Sequence, residues 1–254
     1  MPPTIPTAHV PTNDLIVFAH RGLNRLAPEN TMPAFELAAD AGLTWFETDV
    51  DIIADGTVVV IHDSTLDRTT NRTGSVNAIS AHDLPSIDAG SWFSSHYAGT
   101  PLPTLRELVT FMNERKMNGN IELKQHELGK DSTLRMIDSV IADLDNLDAD
   151  REVIISSFSP LVLAHFHERA PQYAIGMLWE TCALYDDWLS VLEMTGSTYV
   201  HPEDVGLTQT RVQSFIDAGY GVNVWTVNAN DRANQLFNWG CTGVFTDIAD
   251  HMPH

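Results

Sequence analysis

The sequence predicts an α/β fold: a closed TIM (β/α)8 barrel with a β-hairpin after strand 2 and a small insertion or cap between that hairpin and the next helix. An open doubly wound sheet is the alternative. Three observations carry the prediction. At 254 residues, with 43% hydrophobic and 19% charged, the chain is long enough to bury a sizeable core. Apolar β-branched runs alternate with amphipathic stretches almost from end to end, which is the pattern of repeated βα units around a parallel sheet. The number of these units is close to eight.

A first strand is expected over 15–19, an unbroken apolar run that leads into His20-Arg21-Gly22. Pro28-Glu29-Asn30-Thr31 then reads as a helix start, with Asn30 or Thr31 as the cap and the helix running over 31–41. A second strand follows over 45–52 and a third run over 57–61. Only Ala54-Asp55-Gly56 separates them, which leaves no room for a helix, and Asp-Gly between β-rich runs signals a hairpin. The third run should therefore return antiparallel, leaving eight parallel strands. From about 63 to 103 the chain has no clear period, and Trp92, Phe93 and Tyr97 in it either close over a substrate or form the insertion's own small core. Strands are then expected over 120–123, 153–158, 174–178, 198–201, 222–227 and 243–246. Helices over 104–116, 132–144, 160–169, 186–194, 208–218 and 231–239 fit around them. No repeat beyond this pattern and no domain linker is seen, so 1–254 is expected to form a single domain with the insertion at about 63–103.

Composition narrows the partners. Against 34 Asp and Glu there are 14 Lys and Arg, a formal charge of −20, which opposes docking on nucleic acid or an anionic membrane. No window approaches the roughly 18 apolar residues of a membrane span, and no signal-length apolar core precedes His20. A cytoplasmic protein without stable membrane association is expected, with a homo-oligomer left open. The two cysteines, Cys182 and Cys241, lack metal-type spacing and are expected to be core thiols. An anionic substrate would require scarce cations to be gathered locally, and the lysines are Lys116, Lys124 and Lys130.

In a barrel the C-terminal ends of the strands face the active site, and polar groups collect there. His20 and Arg21 end the first strand. Glu47 and Asp49 lie two apart on the second and so point the same way, as do Glu122 and Lys124 after the insertion, while Trp225 falls in the seventh parallel strand. Six residues lead from Asp49 to Asp55 and six return from Gly56 to His62, so Asp49 and His62 should lie nearly opposite each other. Three converging carboxylates repel one another unless a cation neutralises them. One divalent metal ion is the simplest answer, and all-oxygen donors suit Mg2+ or Ca2+ better than zinc. With Arg21 and Lys124 added, such a pocket suits a phosphoryl group, and two histidines can trade protons near neutral pH.

These residues carry a resemblance. His20-Arg21-Gly22, Pro28-Glu29-Asn30-Thr31, Ala34-Phe35, Glu47-Thr48-Asp49-Val50, His62-Asp63, Leu66-Asp67-Arg68-Thr69-Thr70, Glu122-Leu123-Lys124, Ser156-Ser157-Phe158, Trp225-Thr226-Val227-Asn228 and Thr246-Asp247 follow in the order seen in the glycerophosphodiester phosphodiesterase family. The chain resembles that family over nearly its whole length. The resemblance implies a TIM barrel in which Glu47, Asp49 and Glu122 bind metal, His20 and His62 act as acid and base, and Arg21 and Lys124 hold phosphate, while Trp225 is expected to face the substrate. It also implies hydrolysis of small glycerophosphodiesters to sn-glycerol 3-phosphate and an alcohol such as choline or ethanolamine, by way of attack from glycerol's own neighbouring hydroxyl. Two departures, a hairpin without its lysine and Thr246-Asp247-Ile248-Ala249 without the proline, are expected not to touch this chemistry. The alternatives are a phospholipase D-like or phosphoinositide phospholipase C-like enzyme on lipid substrates, which wants an apolar or basic docking surface, and an inactive binding barrel, which would require a lost histidine or metal ligand.

Overall fold

The computed structural model describes residues 15–125 and 128–252. Its elements follow in the order β1 (Ile16–His20), α1 (Met32–Asp40), β2 (Trp45–Ile52), β3 (Val58–Val60), α2 (Leu105–Arg115), β4 (Asn118–Leu123), α3 (Gly129–Leu144), β5 (Val153–Ser157) and α4 (Pro160–Arg169). They continue with β6 (Ala174–Trp179), α5 (Trp188–Thr195), β7 (Tyr199–Pro202), α6 (Gln209–Asp217), β8 (Gly221–Val224), α7 (Asn230–Asn238) and β9 (Gly243–Thr246). β1 pairs in parallel with both β2 and β9, so the sheet closes on itself into an eight-stranded parallel barrel with β3 appended to β2. Closure excludes the open sheet. β8 stops at Val224, short of the expected end, and Trp225 lies just beyond it with a bridge to Glu203.

Period two sorts each strand between two cores. Val17 and Ala19 of β1, Val50 and Ile52 of β2, and Ile121 and Leu123 of β4 face outward and pack with the helices in one large apolar cluster. Inward-facing Ile16, Phe18, Trp45, Ile154, Tyr199 and Phe245 fill the barrel. Phe18 stacks on Phe245, with ring centroids 4.4 Å apart. Above this apolar layer the same inward rows become polar, giving His20, Glu47, Asp49 and Glu122.

The hairpin register differs from the expected one by a residue. Val50 pairs with Val60, and the Ile61 amide donates to the Asp49 carbonyl. The turn is a three-residue loop, Ala54-Asp55-Gly56, closed by Ile53 N–H to Thr57 O, with Gly56 at φ +98. Such a loop needs a left-handed residue near its end, and glycine supplies it without a Cβ clash. A symmetric two-residue turn would have set His62 opposite Asp49; instead His62 lies one residue past the pairing partner.

The insertion builds a core of its own. Val58 and Val60 of β3 join the main cluster, whereas Val59 and Ile61, pointing the other way, pack with Ile53, Leu66, Val76 and Ile87. Trp92, Phe93 and Tyr97 form successive edge contacts, and the Tyr97 hydroxyl donates to the Leu26 carbonyl. These aromatics therefore brace the insertion against the β1–α1 connection. Cys241 is buried as expected, but Cys182 is exposed, because it sits in a short 3-10 turn between β6 and α5.

The barrel interior also holds His201, fully buried, its Nε2 3.1 Å from the Asn223 amide. Gly176 leaves the space for it: a Cβ at 176 would fall 2.3 Å from the His201 ring. Gly176→Ala should therefore lower stability by about 1–3 kcal/mol, the usual cost of overpacking. Urea unfolding should show this loss, and a smaller one in a His201→Ala background. An unchanged midpoint in Gly176→Ala would mean that the histidine yields freely.

Candidate active site

Strand register assembles the site. His20 on β1 lies beside Glu47 on β2, and Asp49 lies beside Glu122 on β4, so four strand-end side chains meet at one rim of the barrel mouth. Glu47, Asp49 and Glu122 are buried, with one oxygen of each within 4.8 Å of the others. Arg21 and Lys124 reach into the same group. Lys124 Nζ is 2.7 Å from Glu122 and 3.2 Å from Asp49. Arg21 places Nε 3.3 Å from Asp49, while its backbone amide donates to Glu47 Oε2 at 3.0 Å.

The turn that carries Arg21 depends on local geometry. Arg21 has φ +55 and Gly22 φ +77, and a Cβ on Gly22 would meet the Ala34 backbone at 2.7 Å. Only glycine allows the chain to turn so closely against α1. Asn30, also left-handed at φ +56, donates to Asp49 Oδ2 at 2.9 Å and accepts from the Thr48 hydroxyl. Thr31, not Asn30, occupies the cap position of α1, and Asn30 braces the metal-type carboxylate instead.

Burial and mutual repulsion set the charge states. Burial, then the charge of Asp49, pushes Glu47 well above the usual carboxylate range and Glu122 up to about 7. Burial acts on Asp49 too, but Lys124, Arg21 and His62 outweigh it and hold that carboxyl low. Burial lowers His62 against the pull of Asp49, favouring its neutral form. Three carboxylates thus face two cations. A buried all-oxygen trio with unbalanced negative charge fits a hard divalent ion of the Mg2+ or Ca2+ kind.

Each histidine is held by a carboxylate. His20 Nδ1 is 2.7 Å from Asp247 Oδ1, and His62 Nδ1 is 2.7 Å from Asp63 Oδ1. An ionised carboxylate only accepts, so each Nδ1 carries the proton and each Nε2 is left to exchange one. Asp247 is itself fixed by Asn24 and Asn228 at 2.6 and 2.7 Å, and these bonds with His20 hold its carboxyl low despite burial. Arg68 clamps Asp63 and, with Arg21, Glu29, pulling Asp63 down to about 2. Asp247, which keeps the motif, thus holds His20, whereas the departure falls at Ala249, buried in the apolar cluster outside the barrel. The signal for Asp247 in the sequence was its position directly after the last barrel strand, an end that faces the site like the others.

The resulting cleft has a volume of about 120 Å³ and two unlike walls. His20, Arg21, Glu47, His62 and Glu122 form the polar one; Phe158, Leu178, Trp225 and Phe245 form the other. Trp225 is fixed by its indole N–H, which donates to the His201 carbonyl at 2.8 Å, and by an edge contact with Phe158. All eight residues expected at the site from sequence are therefore at the same strand ends. Phe158 and Leu178 had been given no role there.

Residues 20–251 match the sequence profile of the glycerophosphoryl diester phosphodiesterase family. A glycerophosphodiester phosphodiesterase of Caldanaerobacter subterraneus is 32% identical over 232 residues, covering 91% of this chain and 93% of that protein. One from Bacillus subtilis is 30% identical over 248 residues, covering 93% and 84%. Among solved structures, an Oleispira antarctica phosphodiesterase in complex with the product sn-glycerol-3-phosphate superposes with a TM-score of 0.87 at 30% identity, over 92% of this chain and 94% of that one. With the profile spanning nearly the whole barrel and relatives at this identity matched along their length, the chain belongs to the glycerophosphoryl diester phosphodiesterase family.

Proposed function

We propose that this cleft hydrolyses small glycerophosphodiesters, such as glycerophosphocholine and glycerophosphoethanolamine, to sn-glycerol 3-phosphate and the free alcohol. The observation that carries the reading is the pair of carboxylate-held histidines, His20 with Asp247 and His62 with Asp63, flanking a buried acidic trio that also engages Arg21 and Lys124. The family relationship and the product complex of the Oleispira relative support it.

Glu47, Asp49 and Glu122 would hold one divalent ion, whose charge would offset that of a phosphoryl oxygen. Arg21 and Lys124 carry their positive charge where a phosphate placed over the trio would meet it. One histidine takes a proton through Nε2 from the attacking hydroxyl, and the other gives one to the departing alcohol. Glycerol's own neighbouring hydroxyl is the favoured nucleophile, because a tethered group needs no captured water for the first step. The roles then reverse as water opens the cyclic phosphate. Asp247 and Asp63 keep each ring in the tautomer that this exchange requires. Trp225 and Phe158 shape the wall opposite the histidines.

His20→Ala and His62→Ala should each lower kcat by on the order of a hundredfold or more while leaving the fold intact by circular dichroism. Asp247→Asn should lower kcat by less and shift the pH profile of kcat, with little change in KM. Near-native turnover in either alanine variant would remove that histidine from the mechanism. A 2-deoxy analogue of glycerophosphocholine should bind yet turn over very slowly; equal kcat for the two substrates would rule out internal attack.

Metal and pH are linked with a definite sign. Glu47 and Glu122 have folded pKa values above 4.5, with Glu122 at about 7, so the metal-free folded chain binds more protons than the unfolded one in that window. The contribution of Glu122 is present below about pH 4.5 and is lost as pH rises through about 7, and that of Glu47 has the same sign. After EDTA treatment, Mg2+ or Ca2+ should therefore raise Tm more at pH 8 than at pH 5, and should restore activity. Glu47→Gln, Asp49→Asn or Glu122→Gln should weaken both effects. Undiminished hydrolysis in a chain shown to be metal-free would sink the metal assignment.

A further inference from the structure

Leu66-Asp67-Arg68-Thr69-Thr70 lies in the insertion, just after the hairpin arm that leads into His62 and Asp63. Leu66 is buried in the insertion's core. Its carbonyl accepts from the Thr70 hydroxyl at 2.7 Å and from the Thr70 amide at 3.1 Å, and its amide donates to the Gly74 carbonyl at 2.9 Å. Asp67 Oδ2 accepts from the Gly74 amide at 2.9 Å. These bonds close the loop on either side of Arg68, whose long side chain reaches across to Glu29 in the β1–α1 connection.

The Arg68 guanidinium works along two edges. Nε and Nη2 donate to Asp63 Oδ2 and Oδ1 at 2.7 and 2.9 Å, while Nη1 and Nη2 donate to Glu29 Oε2 and Oε1 at 2.8 and 2.7 Å. The side chain is 44% exposed, and a single ion pair at that exposure contributes little. A planar fork that grips two carboxylates at once also fixes how each of them is turned. Each carboxylate then serves a different part of the site: Asp63 Oδ1 accepts from His62 Nδ1 at 2.7 Å, and Glu29 Oε1 accepts from Arg21 Nη1 at 2.9 Å. Burial pushes Glu29 up, but the hydrogen bonds from Arg68 and the charge of Arg21 outweigh it and hold its carboxyl low. Without Arg68 the whole charge of Glu29 would fall on Arg21, and the Asp63 carboxylate would be free to turn away from the ring.

We propose that Arg68 is a positioning residue that couples the two halves of the site, orienting His62 through Asp63 and Arg21 through Glu29. The proposal rests on the reading of the cleft as a glycerophosphodiester site. Arg68 acts only through these two carboxylates. Through Asp63 it keeps His62 Nε2 aimed in one direction for proton exchange, and through Glu29 it limits the negative charge that competes with phosphate for Arg21. Lysine could not replace it, because a point charge faces one carboxylate without setting the planes of two. The rival role is a purely structural tie, since the Tyr97 hydroxyl on the Leu26 carbonyl joins the same two segments.

The test uses the intact enzyme with divalent ion present and glycerophosphocholine as substrate, with circular dichroism to check that each variant is folded. Arg68→Met should lower kcat about tenfold and raise KM about fivefold, within the range that contacting residues of one network share. In an Asp63→Asn background the same substitution should no longer lower kcat, and in a Glu29→Gln background it should no longer raise KM. Arg68→Lys should rescue neither. Tyr97→Phe, which cuts the other tie and touches neither carboxylate, should keep both near native. At pH 8, where His62 is neutral, nitrogen NMR should find its proton on Nδ1 in the intact enzyme and shared between both ring nitrogens in Arg68→Met, with His62→Ala giving the assignment. Native kinetics in Arg68→Met, full rescue by lysine, or equal losses in Tyr97→Phe overturn the coupling alone. No hydrolysis by the intact enzyme overturns the reading of the cleft itself, and the inference with it.

Discussion

Three buried carboxylates within 4.8 Å of one another are the constraint around which the rest of this molecule is arranged. Groups of like charge removed from water raise each other's pKa and destabilise the fold that holds them, unless opposite charge is supplied. Arg21 and Lys124 supply part of it, and Asn30 and the Arg21 amide satisfy oxygens that charge alone would leave unpaired. The left-handed turns at Arg21 and Asn30 and the glycine at 22 exist because those donors must arrive from one side of a crowded rim. Backbone strain is placed where electrostatics demands it.

The histidines extend the same logic outward. Neither ring touches the trio closely; His20 Nε2 stands 3.9 Å from Glu47. Each ring is instead anchored from behind by a carboxylate that is itself anchored, Asp247 by two asparagines and Asp63 by Arg68. A ring held at Nδ1 presents Nε2 in one fixed direction, the orientation that the proposed proton exchange would need. The insertion contributes through its own small core, which steadies the hairpin bearing His62 and Asp63, and Tyr97 ties it to the β1–α1 connection.

The cleft is chemically lopsided. β1, β2, β4 and the hairpin carry every ionisable group that lines it, and β5, β6, β8 and β9 contribute Phe158, Leu178, Trp225 and Phe245. Alternate in-facing rows produce both walls by the same rule; the sequence simply changes from charged to aromatic partway around. The strongly acidic surface and the scarcity of lysine make the charged wall a local exception, where nearby cations gather against the general field.

Much of this was legible in the linear sequence. The βα alternation, the Asp55-Gly56 hairpin and the pairs Glu47 with Asp49 and Glu122 with Lys124 follow from strand and turn periodicities that are local, so a reader needs only neighbours in the chain to see them. The one-residue change of hairpin register was not legible, because a two-residue and a three-residue loop share the same Asp-Gly signal and hydrogen bonding to the partner strand selects between them. Nor was the bond between His20 and Asp247, two residues 227 positions apart. That contact exists because β9 closes the sheet against β1, and closure is a property of the whole barrel. Which cation faces which carboxylate, and that Cys182 stays in water while Cys241 does not, were decided in the same way: by which chain segments three-dimensional packing brings side by side.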